Sequence, residues 1–321
     1  MTASLPYSAL LLFLLAPLGA LTPERPLADY HEHLLSPAVA RILGQPKTFL
    51  ARDLIAEMDA AGIQRAVLLS LAYQFGNPNR PAVQDEYLKV KKENDWTADQ
   101  AKQFPTRLVV FCGVDPLREY ALAEIERCSR DPYLRVGLKL HFGNSDVDLD
   151  NPEQVRKLRA VFRAADDHHM AIVVHLHPNV DHHRPYGARE AKIFIADVLS
   201  AAPHVPVQVA HLAGSGGYDD PSTDAALLVF IKALTHHDPR VSHLYFDISG
   251  VAGLGEWKNK KELIASRIRQ VGVNRILFGS DGAWTDFTPL RAEEAFRELP
   301  LTAEEFHVID TNVPPYLPAI Q

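Results

Sequence analysis

The stretch Asp29-Tyr30-His31-Glu32-His33 carries two histidines that are separated by one residue. Side chains alternate between the two faces of a β-strand, so His31 and His33 project from the same face. Two imidazoles on one face can hold one metal ion together, but they supply only half of a tetrahedral site. The stretch therefore predicts that later strands end in further ligands that converge on the same point.

Several later apolar segments end at a residue that can bind a metal ion or a substrate. In a (β/α)8 barrel the C-terminal ends of the strands meet at one mouth, where such barrels carry their chemistry. We therefore expect these side chains to lie close to the two histidines of the first strand. They are Lys139 at the end of residues 134–140, His175 after 171–174, His211 after 206–210 and Asp281 after 275–278.

Strand-like and helix-like segments alternate along the chain. The near-continuous apolar strands are typical of a parallel sheet covered by helices, and no linker or change of composition divides them. The sequence thus predicts one α/β domain, a (β/α)8 TIM barrel. The predicted strands are residues 27–31, 66–72, 108–114, 134–140, 171–175, 206–211, 243–248 and 275–279. The predicted helices are residues 48–61, 83–104, 120–129, 153–169, 189–201, 223–235, 258–271, 290–299 and 303–309.

The composition narrows the classes of function. The 321 residues are 47% hydrophobic and 23% charged, as in an ordinary globular protein. A formal net charge of -7, a pI of about 6.1 and the lack of a basic run disfavour binding to nucleic acid or anionic lipid. We expect a small-molecule substrate as the partner, and the sequence leaves a homo-oligomer open. Fifteen histidines against two cysteines favour zinc or manganese over an iron–sulfur cluster.

The first 20 residues have features of a secretory signal peptide. An apolar run over residues 8–20 has the length of a signal-peptide core and ends in small residues, and it is too short to span a bilayer comfortably. No Lys or Arg precedes the run, so an artefactual start or a buried N-terminal segment is the alternative. We expect cleavage near the Ala20–Leu21 bond, a mature barrel over residues 21–321 with no membrane contact, and a periplasmic or secreted location. A cytoplasmic location follows if the run is not a signal.

The two cysteines are expected on neighbouring elements, Cys112 on the third strand and Cys128 on the helix that follows it. An exported protein matures in an oxidising compartment, where disulfides can form. Because both residues fall on elements of the predicted core, we expect two core thiols rather than a disulfide.

The chain resembles the amidohydrolase superfamily of metal-dependent hydrolases, and within it the amidohydrolase-related group that also contains decarboxylases. The resemblance implies His31, His33, His175 and Asp281 as metal ligands, with His211 as a second-metal ligand or a catalytic histidine. The matching motifs are Tyr30-His31-Glu32-His33, Gly137-Leu138-Lys139-Leu140, Val174-His175, Ala210-His211-Leu212-Ala213-Gly214 and Leu277-Phe278-Gly279-Ser280-Asp281.

The chemistry of these residue types supports the same roles. A bound divalent ion lowers the pKa of its water from 15.7 toward roughly 7. Asp281 can bind the metal through one carboxylate oxygen and take the proton of the attacking water through the other. His211 would polarise the substrate oxygen or bind a second ion, and the alternative is a structural core histidine. The sequence leaves one or two ions open.

Three interpretations of Lys139 are open, and the sequence does not distinguish between them. An ammonium group with a pKa near 10.4 cannot bind a cation and is repelled by one. In binuclear members of the superfamily such a lysine is a carbamate that bridges two ions. The other two readings are a free catalytic or substrate-binding ammonium and a structural salt bridge.

Four further residues are lesser candidates. His141 and His177 lie one step beyond the predicted inward positions and could contact the substrate, or they could be exposed loop histidines. Arg184 could bind a substrate carboxylate or could simply face solvent. Asp247 could orient a metal ligand through a hydrogen bond, or it could bind a neighbouring loop.

We expect a metal-dependent hydrolase that uses a metal-activated water to cleave a C–N or C–O bond of an amide, lactone or ester. The alternative is a decarboxylase or hydratase of the same superfamily that acts on an unsaturated or aromatic acid. A second alternative is a non-catalytic metal or small-molecule binding protein, which would not need both the aspartate and the histidines. The substrate itself depends on the loops after the strands, and fold does not determine it.

Overall fold

The computed structural model describes residues 25–178, 184–282 and 285–317. The predicted signal peptide, residues 1–20, lies outside the described residues. Within them, eight parallel strands follow one another in chain order, each hydrogen-bonded to the next. The strands are β1 (Ala28–Glu32), β2 (Arg65–Leu69), β3 (Leu108–Gly113), β4 (Gly137–His141), β5 (Ala171–His175), β6 (Val207–Val209), β7 (Leu244–Asp247) and β8 (Ile276–Leu277).

Backbone hydrogen bonds join the last strand to the first. The Tyr30 N–H donates to the Phe278 carbonyl at 2.9 Å, and the Asp281 N–H donates to the His31 carbonyl at 2.8 Å. These bonds bring the segment after β8 against β1. The fold is a single-domain (β/α)8 TIM barrel, and this prediction is confirmed.

Helices cover the outside of the barrel. No helix in the described part of the chain is long and apolar enough to cross a membrane. After α6 the chain continues through a π-helical turn, Phe194–Val198, and a 3-10 turn, Leu199–Ala201. The α-helices are α1 (Pro37–Leu43), α2 (Ala51–Ala61), α3 (Glu86–Ala101), α4 (Ala121–Arg130), α5 (Pro152–Asp167), α6 (Ala188–Ile193), α7 (Pro221–Thr235), α8 (Lys261–Val271), α9 (Pro289–Arg297) and α10 (Ala303–Thr311).

Helix α1 was not predicted, although its boundary signals are present in the sequence. Ser36 caps its start by accepting a hydrogen bond from the Val39 N–H, Pro37 follows, and Gly44 ends it with a φ of 67°. The helix has only seven residues, which is too few for the helical repeat of apolar positions to be recognised.

The hydrophobic core has two parts. The larger part lies between the strands and the surrounding helices and includes Leu54 and Met58 of α2. The smaller part fills the inside of the barrel, where Phe111 and Val173 point inward. Leu317, near the end of the chain, packs against this inner part. Leu317 therefore forms part of the barrel interior.

Strand β6 is shorter than predicted, because it ends at Val209 instead of His211. His211 has a left-handed backbone with a φ of 56°, and its N–H donates to Asp247 Oδ1 at 2.9 Å. A strand cannot contain a left-handed residue of this kind without breaking its pairing. The predicted end of the sixth strand was therefore wrong, although His211 still lies at the mouth.

Cys112 and Cys128 form a disulfide, so the prediction of two core thiols was wrong. Helix α4 folds back onto β3 and brings the two Cα atoms to 6.4 Å, a separation that a disulfide can span. The sequence placed both cysteines on the correct elements. Their facing positions depend on how the helix is rotated on the strand, which is a tertiary property.

Candidate metal centre

His31 and His33 lie at the C-terminal end of β1 and point into the mouth of the barrel. Both side chains are buried, and their ring centroids are 5.3 Å apart. His31 Nδ1 lies 3.0 Å from Asp247 Oδ2, and His33 Nδ1 lies 2.5 Å from the Leu69 carbonyl oxygen. Each Nδ1 therefore carries the proton that it donates, and each Nε2 keeps its lone pair.

Asp281 brings a carboxylate to these two Nε2 atoms. Its Oδ1 lies 3.5 Å from His33 Nε2 and 3.9 Å from His31 Nε2. The three donor atoms all lie within 4.8 Å of one another. The Asp281 side chain is 36% exposed, so this group opens to the mouth instead of being sealed in the core. Two imidazole nitrogens and one carboxylate form a candidate site for a divalent metal ion.

Burial keeps His33 in the form that a metal requires. It lowers the pKa of His33 well below the ordinary value for histidine, and the nearby Lys139 lowers it further. The ring is thus neutral at physiological pH. A neutral imidazole whose Nδ1 donates to the protein is the usual form of a histidine ligand.

Asp247 orients His31 and the backbone of His211 through hydrogen bonds. Burial by itself would raise its pKa, but the neighbouring His31 and His211 hold the pKa well below its usual range. Its Oδ2 accepts from His31 Nδ1, and its Oδ1 accepts from the His211 N–H and from Ser249 Oγ. The structure thus places the predicted orienting aspartate in contact with a candidate ligand.

His211 lies beside the group formed by His31, His33 and Asp281. Its Nδ1 lies 2.7 Å from the Ser249 carbonyl oxygen, which makes Nδ1 the donor. Its Nε2 lies 3.9 Å from Asp281 Oδ2, and burial lowers the pKa of the ring. An unprotonated Nε2 can accept a proton or bind an ion. It cannot donate a hydrogen bond to a substrate oxygen until the ring takes up a second proton.

His175 lies at the end of β5, next to His211. Its ring stacks on His141 at 3.9 Å and meets the His211 ring at 4.9 Å. Burial lowers the pKa of His175 and of His141 well below the ordinary value, so both rings are neutral. Within the described residues, His175 is not one of the donors that lie within 4.8 Å of one another. Its role as a ligand stays a prediction.

Lys139 is fully buried at the centre of the site. Its Nζ lies 3.0 Å from His31 Nε2, which can accept a hydrogen bond from the amine. Burial lowers the pKa of Lys139 to about 8, against the opposing effect of Asp281 and Asp247. Among the described residues no carboxylate oxygen lies within 4.0 Å of Nζ, so the salt-bridge reading finds no partner there. Lys139 can still be either a free amine or a carbamate.

The remaining predicted residues lie on the wall of the mouth. His177 Nε2 lies 3.1 Å from Asp220 Oδ2, and the His177 ring packs on Tyr186 at 4.2 Å. Arg184 forms ion pairs with Asp146 at 2.7 Å and with Asp148 at 3.2 Å. These ion pairs tie the loop after β5 to the loop after β4. The predicted contacts of His177 and Arg184 with substrate stay predictions.

Two residues that touch the site were not predicted from the sequence. Gln208 Nε2 donates to Asp247 Oδ2 at 2.6 Å, and Ser249 Oγ lies 3.2 Å from His31 Nδ1. A signal for Gln208 was present, because it is a polar residue between two valines in a buried strand. Ser249 follows Asp247 by two residues, but nothing in the sequence distinguishes it from an ordinary loop serine.

Solved structures of the same fold include both decarboxylases and a probable hydrolase. They share under 20% identity with this chain, so the likeness shows the fold alone. The 5-carboxyvanillate decarboxylase from Sphingomonas paucimobilis matches with a TM-score of 0.62 and 15% identity, over 89% of this chain and 96% of that chain. The 5-carboxyvanillate decarboxylase from Novosphingobium aromaticivorans, complexed with manganese and 4-hydroxy-3-methoxy-5-nitrobenzoic acid, matches with 0.57 and 16%, over 90% and 94%. The probable 2-pyrone-4,6-dicarboxylic acid hydrolase from Acinetobacter baumannii, with citric acid bound, matches with 0.57 and 17%, over 88% and 96%.

No curated protein matches the chain. The model of the amidohydrolase family matches residues 28–309. That range runs from the first residue of β1 into α10 and contains every residue of the candidate metal centre. The chain therefore belongs to the amidohydrolase family.

Proposed function

We propose that this protein is a metal-dependent hydrolase that cleaves a C–N or C–O bond of a small amide, lactone or ester. The observation that carries the proposal is the position of the Asp281 carboxylate. One oxygen faces the Nε2 atoms of His31 and His33, and the other faces His211 Nε2. A carboxylate in this position can serve the metal centre and a proton transfer at the same time.

His31, His33 and Asp281 would hold the ion, and His175 is the predicted fourth ligand. The donor set fits zinc or manganese, because both accept imidazole nitrogen and carboxylate oxygen. The manganese in one solved structure of the same fold supports including manganese in the tests. When bound, the ion supplies a Lewis acid and lowers the pKa of a coordinated water toward roughly 7.

The protein's own residues would then move the proton. Asp281 accepts the proton of the attacking water, because its carboxylate is exposed to the mouth. His211 Nε2 is a second acceptor beside Asp281, and after taking up a proton it can return that proton to the leaving group. Asp247 holds the His31 and His211 segments in register throughout, since it contacts both.

A decarboxylase of an unsaturated or aromatic acid is the second candidate, and Lys139 is the observation that favours it. Its Nζ lies 3.0 Å from His31 Nε2 at the candidate metal centre, and as a free ammonium it could receive a substrate carboxylate there. The two decarboxylases of the same fold give this reading further support.

Metal stoichiometry and product analysis test these proposals. We expect at least one zinc or manganese ion per chain in protein purified without chelator. A hydrolase incorporates labelled oxygen from water into its product, whereas a decarboxylase releases carbon dioxide without that label. A panel of lactones, amides, esters and aromatic acids supplies the substrates. Protein that binds neither ion, and turns over nothing when the ions are supplied, would contradict both candidates.

A further inference from the structure

We propose that Tyr316, near the C-terminus of the chain, is a positioning residue for His31. Its half-buried ring packs against the inner core of the barrel. Its hydroxyl donates to Gln208 Oε1 at 2.5 Å. The inference rests on the proposed function in one respect, because it takes His31 as a ligand of the metal centre.

The hydroxyl of Tyr316 fixes the orientation of the Gln208 amide. Gln208 is fully buried in the middle of β6. Its Nε2 donates to Asp247 Oδ2 at 2.6 Å and to the Tyr30 carbonyl at 3.2 Å. The opposite orientation would place the amide oxygen 2.6 Å from a carboxylate oxygen, and neither could donate a hydrogen bond. Tyr316 therefore supplies the one donor that the amide oxygen needs.

The same oxygen of Asp247 that accepts from Gln208 also accepts from His31. The distance from His31 Nδ1 to Asp247 Oδ2 is 3.0 Å. A continuous set of hydrogen bonds thus runs from Tyr316 through Gln208 and Asp247 to His31. Because every bond in it shares an atom or an amide group with the next, a change at the tyrosine alters the acceptor that orients the imidazole. Outer partners of this kind tune metal sites.

Packing contacts separate the role of the hydroxyl from the role of the ring. The Tyr316 ring meets Phe111 edge-on at 5.2 Å and Tyr30 at 6.3 Å. Tyr316→Phe keeps these contacts and removes only the hydroxyl. Tyr30→Phe is the matched control, since it also removes one hydroxyl from the same packed region. The Tyr30 hydroxyl donates to the Asn312 carbonyl at 2.8 Å, outside the set that reaches His31.

The first measurement uses metal-free full-length protein, so that it does not depend on the proposed metal. The Nδ1–H proton of His31, assigned with His31→Asn in histidine-labelled protein, is followed by NMR. We expect faster exchange of this proton with water in Tyr316→Phe and in Gln208→Met, and the wild-type rate in Tyr30→Phe. An unchanged rate in Tyr316→Phe, or an equal change in Tyr30→Phe, would overturn the inference.

The second measurement is the affinity for Mn²⁺ by calorimetry. Loss of one net hydrogen bond corresponds to about a fivefold weaker affinity for Mn²⁺. We expect that change in the single variant Tyr316→Phe and no change in Tyr30→Phe. Because Tyr316 acts through Gln208, the double variant with Gln208→Met should bind no more weakly than Gln208→Met does. Multiplying effects would show independent roles and would overturn the proposal. If the wild type binds no metal, the proposed function fails, and the NMR result still decides the positioning role.

Discussion

Three imidazole rings at the mouth, those of His31, His33 and His211, each use Nδ1 to contact an acceptor of the protein. The acceptors come from β2, from β7 and from the segment just after β7, so the orientation of the rings is fixed from more than one side. The three Nε2 lone pairs consequently point at one carboxylate, that of Asp281. Such an arrangement has little value for stability, because it crowds acceptors together with one nearby amine, that of Lys139, 3.0 Å from His31 Nε2. It is the arrangement that a cation would complete.

Loss of a histidine ligand should therefore release the metal. We expect His31→Ala and His33→Ala each to lower the bound metal by ~10-fold or more at equal free metal, judging from the effect of removing even outer partners. His175→Ala tests whether the predicted fourth ligand binds as well. His236, which is exposed on the outer surface at the end of α7, provides the control variant His236→Ala. Unchanged metal content in the first three variants would show that the centre lies elsewhere.

Asp281→Asn separates the proton-transfer role from the binding role. The amide keeps an oxygen that can coordinate, but it cannot accept a proton at neutral pH. We expect most of the metal to remain while turnover falls by ~10²–10⁴-fold, the usual contribution of general acid–base catalysis. Metal analysis and steady-state rates on the same preparation check this. Full activity with an occupied site would exclude the catalytic role of Asp281.

At the scale of single elements, helix α3 carries an unusual buried carboxyl group. Glu93 is almost fully buried, and it accepts a hydrogen bond from Ser36 Oγ at 2.6 Å. Burial raises the pKa of Glu93 to about 7, even though the bond from Ser36 lowers it. The folded protein consequently holds this proton more tightly than the unfolded chain, in which the pKa is near 4.5. Its contribution to stability is present below the unfolded pKa and is lost as the pH rises through about 7.

Replacing Glu93 should remove that pH dependence. We expect the free energy of unfolding of Glu93→Gln to fall less than that of the wild type between pH 5 and pH 8, with a difference of roughly 2–3 kcal/mol. Asp99→Asn, on the exposed side of the same helix, is the control and should follow the wild type. Urea unfolding at the two pH values gives both numbers. Parallel curves for Glu93→Gln and the wild type would show that the burial of this group has no such effect.

The disulfide between β3 and α4 should stabilise the pair of elements that it joins. It closes a short loop, because Cys112 and Cys128 have a sequence separation of 16. A loop of this length corresponds to about 3 kcal/mol of stability. We expect the free energy of unfolding to be lower by that amount under reducing conditions and in the double variant Cys112→Ala/Cys128→Ala. Denaturant unfolding of both samples measures this difference. A mass that does not increase by two hydrogen atoms upon reduction would show that the bond does not form in solution.

At the scale of the whole molecule, contacts of the barrel begin just after the predicted signal peptide. The Leu27 N–H donates to the Asp310 carbonyl at 2.8 Å, and Arg25 pairs with Glu293. We propose that residues 1–20 are removed on export. A protein that begins at Leu21 should then fold and bind the same metal as the full chain. Failure of this shorter protein to fold, under conditions in which the full chain folds, would assign residues 1–20 to the barrel. The mass of exported protein tests the cleavage itself.

Alternation within strands and the order of strands are local properties, and the sequence alone predicted them. His31 and His33 were expected on one face of the first strand. The alternation of apolar strands with helices predicted the barrel. Because every strand of such a barrel ends at the same mouth, Asp281 and His211 were also correctly brought there. These inferences needed only the period of side chains along a strand and the direction of the chain.

The tertiary structure alone decided how the side chains are oriented around that mouth. His31 contacts Asp247 of β7. Through Asp247 it is linked to Gln208 of β6 and to Tyr316 of the C-terminal segment. The disulfide likewise depends on how α4 is rotated on β3. Contacts of this kind join residues that are far apart in the chain, and they form only when the barrel closes. Strand periodicity carries no information about them, because it describes the direction of a side chain and not the group that it meets.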